Sequence, residues 1–148
     1  MSTFVIARVS VQNRQRQIGL DLPRLQSFTE RALLKCLRIR PASRNDLSTL
    51  SEVGIVLVSD RRIAQLHRQF LGVSGPTDVI TFQHGEIFIS AETARRQARA
   101  LRSSTEQEIQ LYIVHGLLHL HGFDDTRPAA ARKMSAVQNR IAQQAAAP

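Results

Sequence analysis

The sequence has no tryptophan, one tyrosine and one cysteine among its 148 residues. A single cysteine, Cys36, cannot form a disulfide within the chain, which is typical of proteins from a reducing compartment. No apolar run approaches the roughly 20 residues that a membrane helix needs, and the first residues do not resemble a signal peptide. We therefore expect a cytoplasmic protein without membrane contact, in which Cys36 is a buried core residue.

Negative charge is also scarce, because 20 lysine and arginine residues outnumber 12 aspartate and glutamate residues and give a formal net charge of +8. This excess favours a polyanion such as nucleic acid as a partner. Nearly all of the basic residues are arginine, whose planar guanidinium suits bidentate contact with phosphate. With few aromatic side chains on which unpaired bases could stack, contact with RNA should be mainly electrostatic.

Metal-capable side chains are concentrated near the C-terminal end, where three of the five histidines fall between Val114 and Asp125. The apolar spacing from Ile109 to Leu120 predicts a helix, and residues four apart on a helix share one face. His115 and His119 would therefore present two imidazoles to the same metal ion, which is typical of zinc sites. His121 would face away from them.

The residues after the helix could supply a third ligand. Gly122 predicts the helix end, since glycine readily adopts the left-handed backbone found there, and Asp124 or Asp125 could then fold back. Three protein ligands, with positions left for water and substrate, are typical of catalytic zinc. The pattern differs from the His-Glu-x-x-His of zinc peptidases, because Gly116 replaces the glutamate base. A base would come from elsewhere, or the metal alone would activate water.

The string His-Gly-Leu-Leu-His-Leu-His-Gly-Phe-Asp-Asp at 115–125 resembles the signature of the YbeY family, bacterial metal-dependent endoribonucleases of ribosomal RNA maturation and ribosome quality control. Two more strings resemble that family, Pro-Thr-Asp-Val-Ile-Thr-Phe at 76–82 and Gly-Glu-Ile-Phe-Ile-Ser at 85–90. The resemblance spans roughly 50–141. It departs at Asp125, where the family has a third histidine.

The resemblance implies one zinc ion per chain, held by His115, His119 and Asp125, and a carboxylate is itself a good zinc ligand. The family also has an RNA-engaging arginine where this chain has Leu71. Arg68, three residues earlier, could take over that contact, or it could be an ordinary exposed helix residue. A contact between Arg68 and RNA is therefore one of two roles that the sequence allows for this residue.

Two acidic residues near the histidines leave alternatives open. Glu108 lies two turns before His115 on the same helix face, so it could orient an imidazole, or it could be favoured only by the helix dipole. Asp124 could act as a base or could form a turn, and we favour the turn.

Apolar periodicity and turn residues predict four strands and five helices. The predicted strands are 4–11, 52–59, 79–82 and 86–89, and the predicted helices are 23–37, 60–70, 90–101, 104–120 and 128–141, followed by a tail that should fray. We therefore predict an α+β fold, with a small mixed β-sheet of about four strands covered by about five helices, in a single domain over residues 1–148.

The leading hypothesis is a metal-dependent endoribonuclease that prefers single-stranded RNA. Its implied partners are ribosomal RNA and, further, ribosomal proteins or assembly GTPases, and we expect a monomer. One alternative is a zinc hydrolase of another substrate such as a peptide, against which the lack of a glutamate at Gly116 argues. The other is a non-catalytic ribosome-assembly factor with a structural zinc.

Overall fold

The computed structural model describes residues 6–146. Within this range the chain forms an α+β fold with a four-stranded mixed sheet and five α-helices, as predicted. The strands and helices follow in the order β1 Arg8–Asn13, α1 Leu22–Leu37, β2 Glu52–Val58, α2 Asp60–Leu71, β3 Val79–Phe82, β4 Glu86–Ser90, α3 Ala91–Leu101, α4 Thr105–Leu120 and α5 Pro128–Ala146. A short 3-10 turn, Leu47–Thr49, precedes β2.

The sheet has the strand order β1-β2-β4-β3, so β1 and β3 are its edges. β2 lies parallel to both β1 and β4, whereas β3 and β4 form an antiparallel hairpin. In the hairpin Val79 faces Ile89 and Thr81 faces Ile87. One edge of β3 is therefore not paired with another strand of the described chain.

Helices cover both faces of the sheet. Side chains such as Ile55 and Ile87 join the larger core together with residues of α1, α4 and α5. Val56 and Phe88 point to the other face, where they pack with Ile63 of α2 in a smaller cluster. Because β2 is buried on both sides, its sequence is a continuous apolar run instead of an alternating one.

Helix α4 is the central element, since ten of its sixteen residues are buried. It begins with a capping box, in which Ser104 and Gln107 exchange side-chain to backbone hydrogen bonds. Gly116 lets α4 approach the sheet closely, because a Cβ atom there would lie 2.7 Å from two side-chain carbons of Ile87. The glycine that replaces the peptidase glutamate therefore has a packing role.

Two predicted elements differ from the observed ones by more than one residue. The first strand was expected over 4–11, of which residues 4 and 5 lie outside the described chain, and the observed strand starts at Arg8 and runs on to Asn13 because each of its residues pairs with β2. The last helix does not end at Ile141 but continues to Ala146. Ala145 is buried, and its carbonyl accepts a hydrogen bond from Arg31 Nε at 2.7 Å, which holds the end of the helix.

Cys36 is a fully buried residue of α1, as predicted, and burial raises the pKa of its thiol to about 12. A thiol that is buried in apolar surroundings and stays protonated is a poor nucleophile. Within residues 6–146, no helix combines the length and the hydropathy needed to cross a bilayer.

Candidate metal centre

His115 and His119 lie on the outward face of α4, one turn apart, as the sequence predicts. Their Nε2 atoms are 3.0 Å from each other, and each side chain is 24% exposed. The neighbouring residues of the helix are buried, so the fixed core positions the two imidazoles. Both rings can thus be reached from solvent while their backbone is held rigidly.

The other ring nitrogens have partners of their own. His119 Nδ1 lies 3.0 Å from the carbonyl oxygen of Phe123, which can only accept, so Nδ1 carries the proton. His115 Nδ1 donates to Oε1 of Gln138 on α5 at 2.8 Å. Each Nε2 atom therefore has a free lone pair, and the two lone pairs face each other with no proton between them.

Sequence reasoning missed Gln138. It lies on the face of α5 that includes Met134, Ile141 and Ala145, all of which are buried, at a spacing that otherwise predicts an apolar residue. A glutamine on an apolar helix face is the signal that could have identified it. The residue it contacts could not be read from that pattern, because His115 is 23 residues away on another helix.

The chain after α4 returns to the histidines through Gly122, which has a φ of 90°. A Cβ at this glycine would also lie 2.6 Å from the backbone nitrogen of Ser43, so both the turn and the neighbouring loop require glycine. The return brings Asp125 Oδ2 to 3.5 Å from His115 Nε2 and 3.8 Å from His119 Nε2. The structure therefore brings together the three side chains that were predicted as ligands.

Asp124 forms the turn that contains Asp125, as we favoured over a role as a base. Its Oδ1 accepts a hydrogen bond from the backbone N–H of Thr126 at 2.8 Å, and its Oδ2 accepts one from the Thr126 hydroxyl at 3.0 Å. These bonds to Thr126 hold the pKa of Asp124 below its ordinary value. Since both of its oxygens are engaged, Asp125 is the carboxylate that is left to face the histidines.

The donor set fits a metal ion. One ligand atom from each of His115, His119 and Asp125 lies within 4.8 Å of the others. Burial, followed by the nearby His115, lowers the pKa of His119, which favours the neutral imidazole that a metal requires. Two facing lone pairs beside a carboxylate are unfavourable on their own, and a shared cation would stabilise all three.

Two neighbouring residues do not belong to this group. His121 is buried and faces away, as predicted, because its Nε2 donates to the carbonyl of Ile39 at 2.6 Å and its Nδ1 accepts from the N–H of Leu47. Glu108 was expected either to orient an imidazole or to serve the helix start. The Nδ1 atoms of the two histidines are already paired with Gln138 and the Phe123 carbonyl, so Glu108 orients neither ring. Glu108 is instead buried beside Tyr112. Burial and then the charge of Glu108 raise the pKa of the Tyr112 phenol.

A cavity of about 220 Å³ adjoins the histidines. It is lined by Leu71, Val79, Ile80, Thr81, Gln83, His115 and His119. Arg68 is exposed and lines a different hollow, on the outer side of α2, with Arg61, Ser74 and Gly75. Leu71 thus occupies the rim of the histidine cavity, and the predicted RNA contact of Arg68 stays a prediction.

Comparison with known proteins decides the family. A sequence model described as endoribonuclease YbeY matches residues 10–146. The chain belongs to the YbeY family. It is 37% identical over 133 residues to the endoribonuclease YbeY of Anaeromyxobacter sp. (strain Fw109-5), and this alignment covers 80% of this chain and 69% of that protein. It is 29% identical over 153 residues to the endoribonuclease YbeY of Frankia alni, which covers 90% of this chain and 80% of the relative.

The family assignment from the three sequence strings is therefore confirmed, and with it the class of enzyme, a hydrolase that acts on RNA. A solution structure from Thermotoga maritima is similar to this chain with a TM-score of 0.64, and the match covers 93% of this chain and 89% of that one. At 23% identity this likeness supports the fold alone.

Proposed function

We propose that this protein is a metal-dependent endoribonuclease in which one zinc ion per chain is held by His115, His119 and Asp125. The observation that carries the proposal is the convergence of two imidazole Nε2 atoms and a carboxylate oxygen beside a cavity, in a chain of the YbeY family. Zinc suits this mixture of imidazole and carboxylate ligands.

The protein's own residues have defined tasks in this proposal. Gln138 and the Phe123 carbonyl accept the proton on each Nδ1, so that the Nε2 lone pairs stay available to a metal. A zinc ion held there would lower the pKa of a water ligand and would neutralise charge that builds on the phosphoryl oxygens. Asp125 adds a negative charge, which makes this site less electropositive than one with three histidines.

The wider role that we propose is cleavage of single-stranded RNA in ribosomal RNA maturation and ribosome quality control. A cytoplasmic, single-domain monomer would carry it out, in contact with ribosomal RNA and with ribosomal proteins or assembly GTPases. The net charge of +8 and the similarity to proteins named as endoribonucleases support RNA as the substrate.

Two alternatives are less well supported. A structural zinc in an assembly factor would normally have four protein ligands, whereas the cluster found within residues 6–146 has three. A peptide hydrolase of the usual zinc type would need a glutamate next to the first histidine, and Gly116 cannot become one without displacing Ile87.

The test is cleavage of a ribosomal RNA fragment that contains single-stranded and paired regions, by protein that has been stripped of metal and then reloaded with zinc. We expect cleavage in the single-stranded regions to return with zinc, and His119→Ala to stay inactive. The exposed His84 provides the control, since His84→Ala should cleave as the parent does. Equal cleavage by the parent and His119→Ala would contradict the proposal.

A further inference from the structure

The unpaired edge of β3 borders the cavity that contains the histidines. Val79 and Thr81 of this strand line the cavity together with His115 and His119. The register explains the proximity, because Thr81 pairs with Ile87, and Ile87 lies against Gly116, the residue next to His115. The edge of the sheet and the proposed metal ligands therefore form one continuous surface.

The hairpin register determines which backbone groups point to this edge. The N–H of Ser90 donates to the carbonyl of Asp78 at 3.0 Å, so every second residue of β3 from Asp78 onwards exchanges hydrogen bonds with β4. Ile80 and Phe82 belong to that set. The backbone groups of Val79 and Thr81 therefore point away from β4, towards the unpaired edge.

Three of these outward groups are available to a ligand. The N–H of Val79 is already taken, because it donates to Oδ1 of Asp78 at 2.8 Å. What is left is the carbonyl of Val79 and both the N–H and the carbonyl of Thr81, and no side chain or loop within residues 6–146 forms a hydrogen bond with them. Half-buried backbone groups without partners are a template for an extended chain.

The mixture of donors and acceptors limits what can bind there. An RNA backbone offers phosphate oxygens that accept and ribose 2′-hydroxyls that donate, whereas a DNA backbone offers acceptors only. One N–H and two carbonyls therefore match RNA better than DNA. At about 220 Å³ the cavity is smaller than the roughly 300–1,000 Å³ that encloses a small-molecule ligand, which suits a polymer that crosses an open surface.

We infer that single-stranded RNA lies extended along the free edge of β3, where the Thr81 N–H donates to a phosphate oxygen and the carbonyls of Val79 and Thr81 accept from ribose 2′-hydroxyls. The inference rests on the proposed function, since it describes how that enzyme would hold its substrate beside the histidines. It also assigns a source of discrimination between RNA and DNA that does not involve base recognition.

An extended peptide could satisfy the same three groups as an added strand. RNA is favoured because the chain belongs to an endoribonuclease family and carries a net charge of +8, which attracts phosphates without regard to their sequence. The peptide is therefore one of the outcomes that the experiment must separate.

The experiment measures amide hydrogen exchange by NMR in the non-cleaving variant His119→Ala, with an unstructured ten-nucleotide RNA, DNA of the same sequence, and an extended ten-residue peptide. We expect saturating RNA to slow exchange at Thr81 at least tenfold, and DNA and the peptide to leave it within about twofold. The Ile80 amide is the internal control, because it points to β4 and should not respond. RNA binding without a change at Thr81, equal slowing by DNA, or slowing by the peptide alone would each overturn the inference.

Variants of Thr81 give a second, independent measurement on the protein with its histidines intact. Thr81→Pro removes the outward N–H, which the ladder does not use, whereas Thr81→Val keeps it and removes only the hydroxyl. We expect the proline variant to raise the KM for RNA about tenfold or more at unchanged metal content, and to raise it at least threefold more than the valine variant does. If the proline variant does not fold, the exchange measurement decides. Equal cleavage by the parent, Thr81→Pro and Thr81→Val would overturn this inference and leave the proposed function standing. No cleavage by the zinc-loaded parent would overturn the proposed function.

Discussion

Gln138 Oε1 lies 2.8 Å from His115 Nδ1 and ties α5 to α4 across 23 residues of sequence. The bond fixes which nitrogen of His115 carries the proton, so we expect Gln138→Leu to weaken metal binding about 10- to 100-fold, the usual effect of losing such a partner. Competition with a calibrated chelator measures it.

Two further variants make the Gln138 result specific. Gln138→Glu keeps an acceptor at the same place and should retain metal as the parent does or better. Asn139→Leu changes the neighbouring exposed amide and should have no effect. Equal metal affinity in Gln138→Leu and the parent would contradict a role for this contact.

Gly116 provides a test of packing between α4 and the sheet. Alanine in place of a helical glycine normally stabilises a protein by about 1 kcal/mol. Here a Cβ would overlap Ile87, and overpacking of this kind costs about 1–3 kcal/mol. We expect Gly116→Ala to lower the free energy of unfolding, and the double variant Gly116→Ala/Ile87→Val to recover part of the loss. Urea denaturation measures both, and a more stable single variant would refute the close approach.

Arg68 tests whether RNA contacts extend beyond the histidine cavity. A guanidinium stays protonated and cannot coordinate a metal, so Arg68→Ala should leave metal content unchanged. Loss of one phosphate contact costs on the order of 1–3 kcal/mol, which corresponds to roughly 10- to 100-fold weaker cleavage. Arg62→Ala, near the other end of the same helix, is the matched control. If Arg68→Ala cleaves RNA as well as the parent, Arg68 does not replace the family arginine whose position Leu71 occupies.

Asp60 links the start of α2 to α3 and makes stability depend on pH. Burial alone would raise the pKa of Asp60, but hydrogen bonds from Arg96, Ser90 and Thr93 outweigh it and hold the pKa below its ordinary value. The carboxylate therefore stabilises the fold above its unfolded pKa of about 3.9. That contribution disappears as the pH falls through the lower folded pKa.

We expect Asp60→Asn to lower the free energy of unfolding by about 1–2 kcal/mol at pH 7, because it weakens charge-assisted hydrogen bonds that are partly exposed. The difference from the parent should shrink below pH 4. Urea denaturation at pH 7 and pH 3 provides the comparison. A difference that stays constant between the two pH values would show that the charge of Asp60 is not what stabilises the fold.

Local patterns were sufficient to predict much of the fold. Caps and turns depend on neighbouring residues, so the start of α4 after Ser104 and the end of α2 before Gly72 lie within one residue of the predicted bounds. The end of α5 did not, because Arg31 stabilises it from a distant helix. The strand order β1-β2-β4-β3 likewise depends on long-range pairing that no local pattern specifies.

The residues of the candidate site also differ in whether local sequence could predict them. The pairing of His115 with His119 is a consequence of helical geometry. The turn at Gly122 predicted a returning carboxylate, Asp124 or Asp125, and the family resemblance selected Asp125. The orienting role of Gln138 depends on how α5 packs against α4, which is a tertiary contact. For the same reason Glu108, although on the correct helix, was an unreliable candidate.

The central claim is that His115, His119 and Asp125 hold one metal ion, and metal content of the purified protein tests it most directly. Elemental analysis should find about one transition metal ion per chain in the parent and in His84→Ala, and loss of that metal in His115→Ala and His119→Ala. Circular dichroism of the same samples confirms that the variants are folded. Unchanged stoichiometric metal in both cluster variants would contradict the account.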